Sequence, residues 1–230
     1  MILEVLVDLG HFRKNRKIEV KNVMKRIIKV LLSSIFCLST LVGCSSSPYA
    51  KAEAQTLTIQ GVPVYVEPDE ETTQEDINRH LKEIRTQPEF LMKNCTGIHL
   101  QGENTHQERK LQVYGRDIGD TAGYVQEREI YFDAKTKYSN GEKTSDIIRE
   151  TVTHELWHVF DYAKGTDEYY LSGLDFSVLY NQNPGSISEY GATNVSEFFA
   201  EAGTMYLLSP EELKEKNIDV YNYFEALPKE

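Results

Sequence analysis

The stretch that most constrains this chain is His154–His158, which reads H-E-L-W-H. It lies in a segment from about 144 to 164 whose helical spacing gives an apolar stripe of Ile148, Val152, Leu156, Val159 and Ala163. Residues four apart share a helix face, so His154 and His158 can offer two imidazoles to one metal ion. Glu155 can then take a proton from a water molecule on that metal. The pattern is typical of zinc hydrolases, and two surface histidines on an amphipathic helix are the alternative.

A catalytic zinc ion usually takes three protein ligands, and the best candidate stretch for the third is Tyr190–Ala202. Asn194 followed by Glu197 is typical of a helix N-cap with its capping-box partner. Glu197 and Glu201 are four apart and would share one face of a helix whose other face is rich in Phe. Buried carboxylates need partners, and a zinc ion and a zinc-bound histidine would supply them. Alternatively, Glu197 only caps its helix and Glu201 faces water.

These two stretches resemble the zinc metalloproteases of the anthrax lethal factor type, and the bacterial Pro-Pro endopeptidases that share that catalytic domain. The matching segments are H-E-L-W-H-V-F-D-Y-A from His154 and Y-G-A-T-N-V-S-E-F-F-A-E-A from Tyr190. The likeness is specific over Thr153–Gly165 and Tyr190–Ala202, and it is diffuse or absent elsewhere. Trp157 departs from it, because relatives carry a small residue there, which leaves the shape of the nearby pocket wall open.

The resemblance implies a set of roles for the matched residues. One zinc ion per chain would be held by His154, His158 and Glu197, with Glu155 as general base. Tyr190, seven residues before the third ligand, would face the site and support the oxyanion. We expect Glu201 to bond a ligating histidine, His154, from outside the metal's ligand shell.

The order of elements predicts one α+β domain over 56–230, with a strand-rich first half and a helix-rich second half. The resemblance makes it a zincin-like metalloprotease domain, with a small twisted sheet above the helix of His154 and a helical C-terminal part that carries Glu197. In single-domain zinc proteases an edge strand pairs with the extended substrate. We place that edge at Ala122–Gln126; an ordinary hairpin is the alternative.

Spacing and turn residues predict the individual elements. Strands are expected at 57–60, 62–66, 98–100, 111–114, 124–126 and 130–132. Thr72 with Glu75 predicts a capped helix that runs to about Arg85. Further helices are expected at 167–183, from Ser209 onward and at 217–227, and the stretch 184–188 is either a lid or a plain connector.

Residues 24–43 have the features of a secretory signal peptide, with basic residues followed by a short apolar run. Leu41-Val42-Gly43-Cys44 resembles the lipobox, in which the cysteine is lipidated and becomes the first mature residue. Residues 1–23 are interpreted as a mis-assigned extension ahead of a start at Met24, and 44–55 as a tether. An uncleaved anchor helix is the alternative.

Charge and cysteine content restrict the partners. The whole chain carries −11, and residues 1–43 hold eight Lys or Arg and three Asp or Glu, so the remainder carries −16. Such an acidic domain is not expected to bind nucleic acid or an anionic membrane surface by charge. With Cys37 in the signal and Cys44 lipidated, Cys95 is left as a small core residue without a disulfide partner.

Three functions compete at this point. The first is a lipid-anchored zinc endopeptidase on the outer face of a bacterial membrane, which takes protein or peptide substrates as a monomer. The second is a binding or sensory lipoprotein that keeps the fold without turnover. The third is a secreted toxin-like protease. A general base has no use in a binder, which favours the enzyme.

Overall fold

A computed structural model describes residues 50–115, 121–135 and 145–229, all within one unit, Ser47–Glu230. The predicted extension at 1–23, the signal peptide at 24–43, Cys44 and the first half of the tether, 44–49, lie outside these residues and stay predictions. The second half of the tether prediction is wrong, because Ala52 is buried and its N–H donates to the Thr72 carbonyl, and because Gln55 begins the first strand. In the described part of the chain, no helix is both long enough and apolar enough to cross a membrane.

A five-stranded mixed sheet forms one layer of the molecule and confirms the α+β class. Its strands are β1 (Gln55–Ile59), β2 (Val62–Glu67), β3 (Gly97–Gln101), β4 (Gly123–Gln126) and β5 (Glu129–Asp133). They lie in the order β1-β2-β3-β5-β4. The outer pairs β1–β2 and β4–β5 are antiparallel hairpins, and β2–β3 and β3–β5 are parallel. The predicted edge strand at 122–126 is therefore confirmed as an edge of this sheet.

The helices lie in the connections and in the C-terminal half. They are α1 (Gln74–Arg85), α2 (Glu89–Met92), α3 (Glu103–Tyr114), α4 (Ser145–Lys164), α5 (Phe176–Gln182), α6 (Val195–Leu208), α7 (Pro210–Lys216) and α8 (Ile218–Ala226). Short 3₁₀ turns occupy Leu171–Gly173, Pro184–Ser186 and Gly191–Thr193.

The strand predicted at 111–114 is wrong, because these residues form the last turn of α3. The four residues before them, 107–110, are good helix formers, and Gly115 ends the helix in the left-handed conformation, with φ 65°. Topology explains the outcome, since the parallel neighbours β3 and β5 need a crossover connection and α3 lies within it. Leu111 lies on the solvent side of this helix and is 56% exposed, so its place in the alternating pattern does not reflect burial.

Two helix starts differ from the prediction. The box of Thr72 with Glu75 is wrong by one residue, because Thr73 caps α1 and pairs with Asp76. Thr72 instead donates its hydroxyl to Asp69. At α6, Asn194 accepts from the Glu197 amide as predicted, but no reciprocal box forms at this cap.

The single helix predicted at 167–183 is also wrong. A 3₁₀ turn at Leu171–Gly173 and the short helix α5 take its place. The backbone N–H of Ser172 donates to a carboxylate oxygen of Asp161 on α4, 2.6 Å away, which fixes this turn against α4. The 184–188 stretch is held by Lys216, whose Nζ donates to the Ile187 carbonyl, and this contact favours the connector over the lid.

The core joins the sheet to α4 and the C-terminal helices. From α4, the predicted stripe residues Ile148, Val152, Leu156 and Val159 are fully buried, while Ala163 is half-buried. Helix α4 also packs against α6 and β4. Cys95 is buried and donates to the Gly97 carbonyl, as expected for a core thiol.

Candidate metal centre

Helix α4 places the two motif histidines one above the other. His154 and His158 meet edge to face, with their ring centres 4.7 Å apart. Their Nε2 atoms lie 3.0 Å apart, and His154 is only 9% exposed. The four-residue spacing thus brings one nitrogen of each ring to a common point.

Helix α6 brings a carboxylate to the same point from its first turn. Oε2 of Glu197 lies 3.0 Å from Nε2 of His154 and 3.2 Å from Nε2 of His158. In the described residues these are the side chains whose ligand atoms form a potential metal cluster, all within 4.8 Å of one another. Two imidazoles and one carboxylate fit the donor set of a catalytic zinc ion, which leaves one coordination position open.

Glu201, one turn after Glu197, takes the place predicted for it. Its Oε1 lies 3.0 Å from Nδ1 of His154, on the side of the ring away from the cluster. Its Oε2 accepts a hydrogen bond from the Ser188 hydroxyl, which in turn accepts from the Gly191 amide. The bond to His154 lowers the pKa of Glu201 despite its burial. No sequence motif points to Ser188.

His158 has a different set of outer partners, which the sequence reasoning missed. Its Nδ1 lies 3.2 Å from the hydroxyl of Ser196, and that hydroxyl lies 3.1 Å from Oδ2 of Asp161. Asp161 is buried and also accepts from the backbone N–H and the hydroxyl of Ser172. Asp161 follows His158 by three positions on α4, and Ser196 reaches both residues only because α6 packs against α4.

The charges at the cluster are strongly coupled. Burial disfavours the charged form of His154, but the bonds to Glu197 and Glu201 outweigh it and raise the pKa of His154 to about 10. Burial also opposes ionisation of Glu197, yet its bonds to both histidines hold the pKa of that carboxyl far below its ordinary value. Glu197 is therefore a carboxylate at neutral pH, the form in which a carboxyl group binds metal.

Glu155 lies beside the cluster and outside it. Burial raises the pKa of Glu155, although the two histidines partly oppose this shift. The side chain packs under β4, since a Cβ added at Gly123 would lie 3.1 Å from Cγ of Glu155 and 2.9 Å from the Phe132 ring. The small residue at 123 thus leaves room for Glu155 beneath the edge strand.

Tyr190 lies beside the cluster, just before α6. Its ring centre is 5.9 Å from that of His154, and the residue is 56% exposed. Burial of the hydroxyl end, followed by the nearby charges of Glu197 and Glu155, raises the pKa of Tyr190, so the phenol keeps its proton at neutral pH. The structure thus brings together His154, Glu155, His158, Tyr190, Glu197 and Glu201, and Cys44 lies outside the described residues.

An open cleft crosses this cluster. One cavity of about 290 Å³ is lined by exposed tyrosines that include Tyr114, Tyr162 and Tyr170. A second, of about 600 Å³, extends to Met205 and Leu208 on α6. Both cavities are lined by His154, Glu155 and Tyr190.

The edge strand β4 borders the cleft, and two of its residues direct their backbone groups away from the sheet. The Asp133 N–H donates to the Ala122 carbonyl, and hydrogen-bonded and non-hydrogen-bonded pairs alternate along an antiparallel ladder. In the register Gly123↔Phe132 and Val125↔Ile130, Gly123 and Val125 therefore direct their N–H and C=O groups away from β5. Both residues line the first cavity.

No family model matches the chain, and no curated protein matches it. The function must therefore be inferred from the site itself.

Trp157 does not shape the wall of either cavity. It is buried on the core side of α4, where its ring meets Phe90, Phe160, Phe199 and Phe224. Gly203 on α6 accommodates it, since a Cβ at that position would lie 2.6 Å from the indole. The large residue at 157, where the resembling proteases carry a small one, therefore affects the packing of α4 against α6.

Proposed function

We propose that this protein is a zinc-dependent metalloendopeptidase with a zincin-like catalytic domain. The observation that carries the proposal is the convergence of three ligand atoms, from His154, His158 and Glu197, in an open cleft beside the buried Glu155. The resemblance of both motif segments to lethal factor-type proteases supports the same reading. So does the mixed sheet, whose edge strand borders the cleft.

The residues around the cluster supply the groups that peptide hydrolysis needs. Zinc held by the three side chains would act as a Lewis acid and provide a water-derived nucleophile near neutral pH. Glu155, which lines the cleft beside the three ligands, would act as the general base. It would accept the proton of the attacking water and pass it to the leaving amine. The protonated Tyr190 hydroxyl would donate to the developing oxyanion.

The substrate is proposed to be an extended peptide segment. The N–H and C=O groups of Gly123 and Val125, which point away from β5, offer the backbone partners that strand addition requires. The resemblance suggests extracellular or cell-wall-attached proteins, including Pro-containing cleavage sites. The L-V-G-C sequence before Ser45 supports attachment to the outer face of a bacterial membrane through lipidated Cys44.

A peptide-library assay tests the proposal. The zinc-loaded protein is expected to cleave internal peptide bonds, whereas Glu155→Ala is expected to keep its zinc and lose turnover. Asp146→Asn, on the same helix at a position where the side chain is 82% exposed, serves as the matched control and should cleave like the parent. A zinc-loaded parent that leaves a broad, Pro-rich library intact would instead support the binding or sensory lipoprotein.

A further inference from the structure

We propose that Ser196, Asp161 and Ser172 form a hydrogen-bond chain that holds His158 as its Nδ1–H tautomer, with the bare Nε2 directed at the cluster. The inference rests on the proposed metal centre and deepens it. Ser196 and Asp161 become positioning residues, because they act on the metal site only through His158.

The donors present determine which atom donates and which accepts in each hydrogen bond of this series. The Asp161 carboxylate accepts from the backbone N–H of Ser172 at 2.6 Å and from its hydroxyl at 2.7 Å. The Ser196 hydroxyl lies 3.1 Å from Oδ2 of the same carboxylate and has a single hydrogen to donate. Once that hydrogen points at Asp161, the oxygen of Ser196 can only accept. The proton between Ser196 and the ring, 3.2 Å apart, must then belong to Nδ1 of His158.

Without this hydrogen-bond chain, His158 could adopt the other tautomer, with its proton on Nε2. Its Nε2 lies 3.2 Å from Oε2 of Glu197, so an Nε2–H would find an acceptor there. That tautomer would leave no lone pair on Nε2 for a metal ion. On His154 the carboxylate of Glu201 holds Nδ1 directly. On His158 a neutral hydroxyl takes this position, and its acceptor strength comes from Asp161 behind it.

The last residue of this hydrogen-bond chain, Ser172, connects the turn Leu171–Gly173 to the metal centre. Ser172 is buried and lies in the 3₁₀ turn Leu171–Gly173. The turn follows Tyr170, which lines the first cavity. The same carboxylate therefore anchors both a proposed metal ligand and the segment that carries one wall of the cleft.

Zinc affinity of the full chain, measured by competition with a chelator, tests the first consequence. Ser196→Ala is expected to bind zinc about 10- to 100-fold more weakly than the parent, the usual effect of losing an outer partner of a ligand. Ser196→Thr keeps a hydroxyl and should restore most of the affinity. Ser177→Ala, which removes an exposed hydroxyl bonded to the Leu174 carbonyl, is the matched control and should bind like the parent.

Long-range ¹H–¹⁵N spectra of the metal-free protein test the tautomer itself. The parent, Ser196→Thr and Ser177→Ala should show the proton of His158 on Nδ1, and Ser196→Ala should shift it towards Nε2. An Nε2–H signal in the parent, or a Ser196→Ala protein with parental tautomer and zinc affinity, would overturn the chain. A parent that binds no zinc contradicts the metal centre instead, and the spectra still decide the role of Ser196.

Discussion

At the scale of single residues, the proposed catalytic role of Tyr190 can be tested without disturbing the fold. It is 56% exposed and lies next to His154 without belonging to the metal cluster. Tyr190→Phe removes only the hydroxyl that would stabilise the oxyanion in the transition state. We expect kcat to fall about 10²- to 10³-fold with little change in KM, as for other single oxyanion donors. Steady-state kinetics on a cleaved library peptide measures this.

Tyr169→Phe is the control for this substitution, because Tyr169 is equally exposed, at 57%, and does not line the first cavity. It should leave kcat and KM at parental values, and both variants should keep one zinc ion. A Tyr190→Phe enzyme with parental kcat would contradict the assigned role.

The site residues differ in how far the sequence could predict them. His154, Glu155 and His158 follow from one local pattern, and helix geometry alone places them. Glu197 and Glu201 needed the four-residue spacing of a second helix, and their partners across the cleft agree with the prediction. Ser196 and Asp161 were missed, because hydroxyls and carboxylates on helices are common and only the tertiary approach of α6 to α4 gives them a shared partner.

At the scale of elements, the packing of α4 on α6 depends on the large side chain of Trp157 and on the glycine at 203. The indole of Trp157 lies 2.6 Å from where a Cβ of Gly203 would be. Gly203→Ala is therefore expected to lower the free energy of unfolding by about 1–3 kcal/mol through overpacking. The loss should shrink when Trp157→Leu is combined with it. Urea denaturation of the four proteins in this cycle measures the coupling.

Gly185→Ala is the control for the cycle, since a Cβ there meets no atom within 4 Å. It should leave the free energy of unfolding nearly unchanged. Additive losses at 157 and 203 would mean that the two positions do not share space in solution.

The edge strand gives a second prediction at this scale. Val125 directs its N–H away from β5, so Val125→Pro removes a free donor without breaking the β4–β5 ladder. If a substrate pairs with β4, kcat/KM should fall about 2- to 10-fold, the cost of one backbone hydrogen bond. Val125→Ala keeps the N–H and should retain the parental value. Equal kcat/KM for both variants would argue against strand addition.

The elements themselves were predicted well where a local signal decides them and poorly where topology does. Both hairpins and α4 follow from alternation and 3.6-residue spacing. The 111–114 segment was mistaken for a strand because its alternation is real but its place in a crossover is not visible locally. The sequence of 167–183 does not show the break in its helix, because the bond from Ser172 to Asp161, eleven residues earlier, has no sequence signal.

At the scale of the whole molecule, the proposed lipid anchor would attach the acidic domain to a membrane. Cys44 lies outside the described residues, and its predicted diacylation would give stable attachment where one chain would be marginal. Cys44→Ala expressed in a bacterium should move from the membrane fraction to the soluble fraction. Cys37→Ala should stay with the membrane. A Cys44→Ala protein that remains fully membrane-bound would favour the uncleaved anchor helix.

The central claim is that His154, His158 and Glu197 hold one zinc ion, and metal content tests it most directly. The purified protein, equilibrated with zinc and freed of excess metal, should carry one zinc ion per chain by elemental analysis. Glu197→Ala should lose most of it, whereas Glu201→Ala should bind more weakly yet still reach one per chain at higher zinc concentration. A parent without zinc, or a Glu197→Ala protein that binds it as tightly as the parent, would contradict the account.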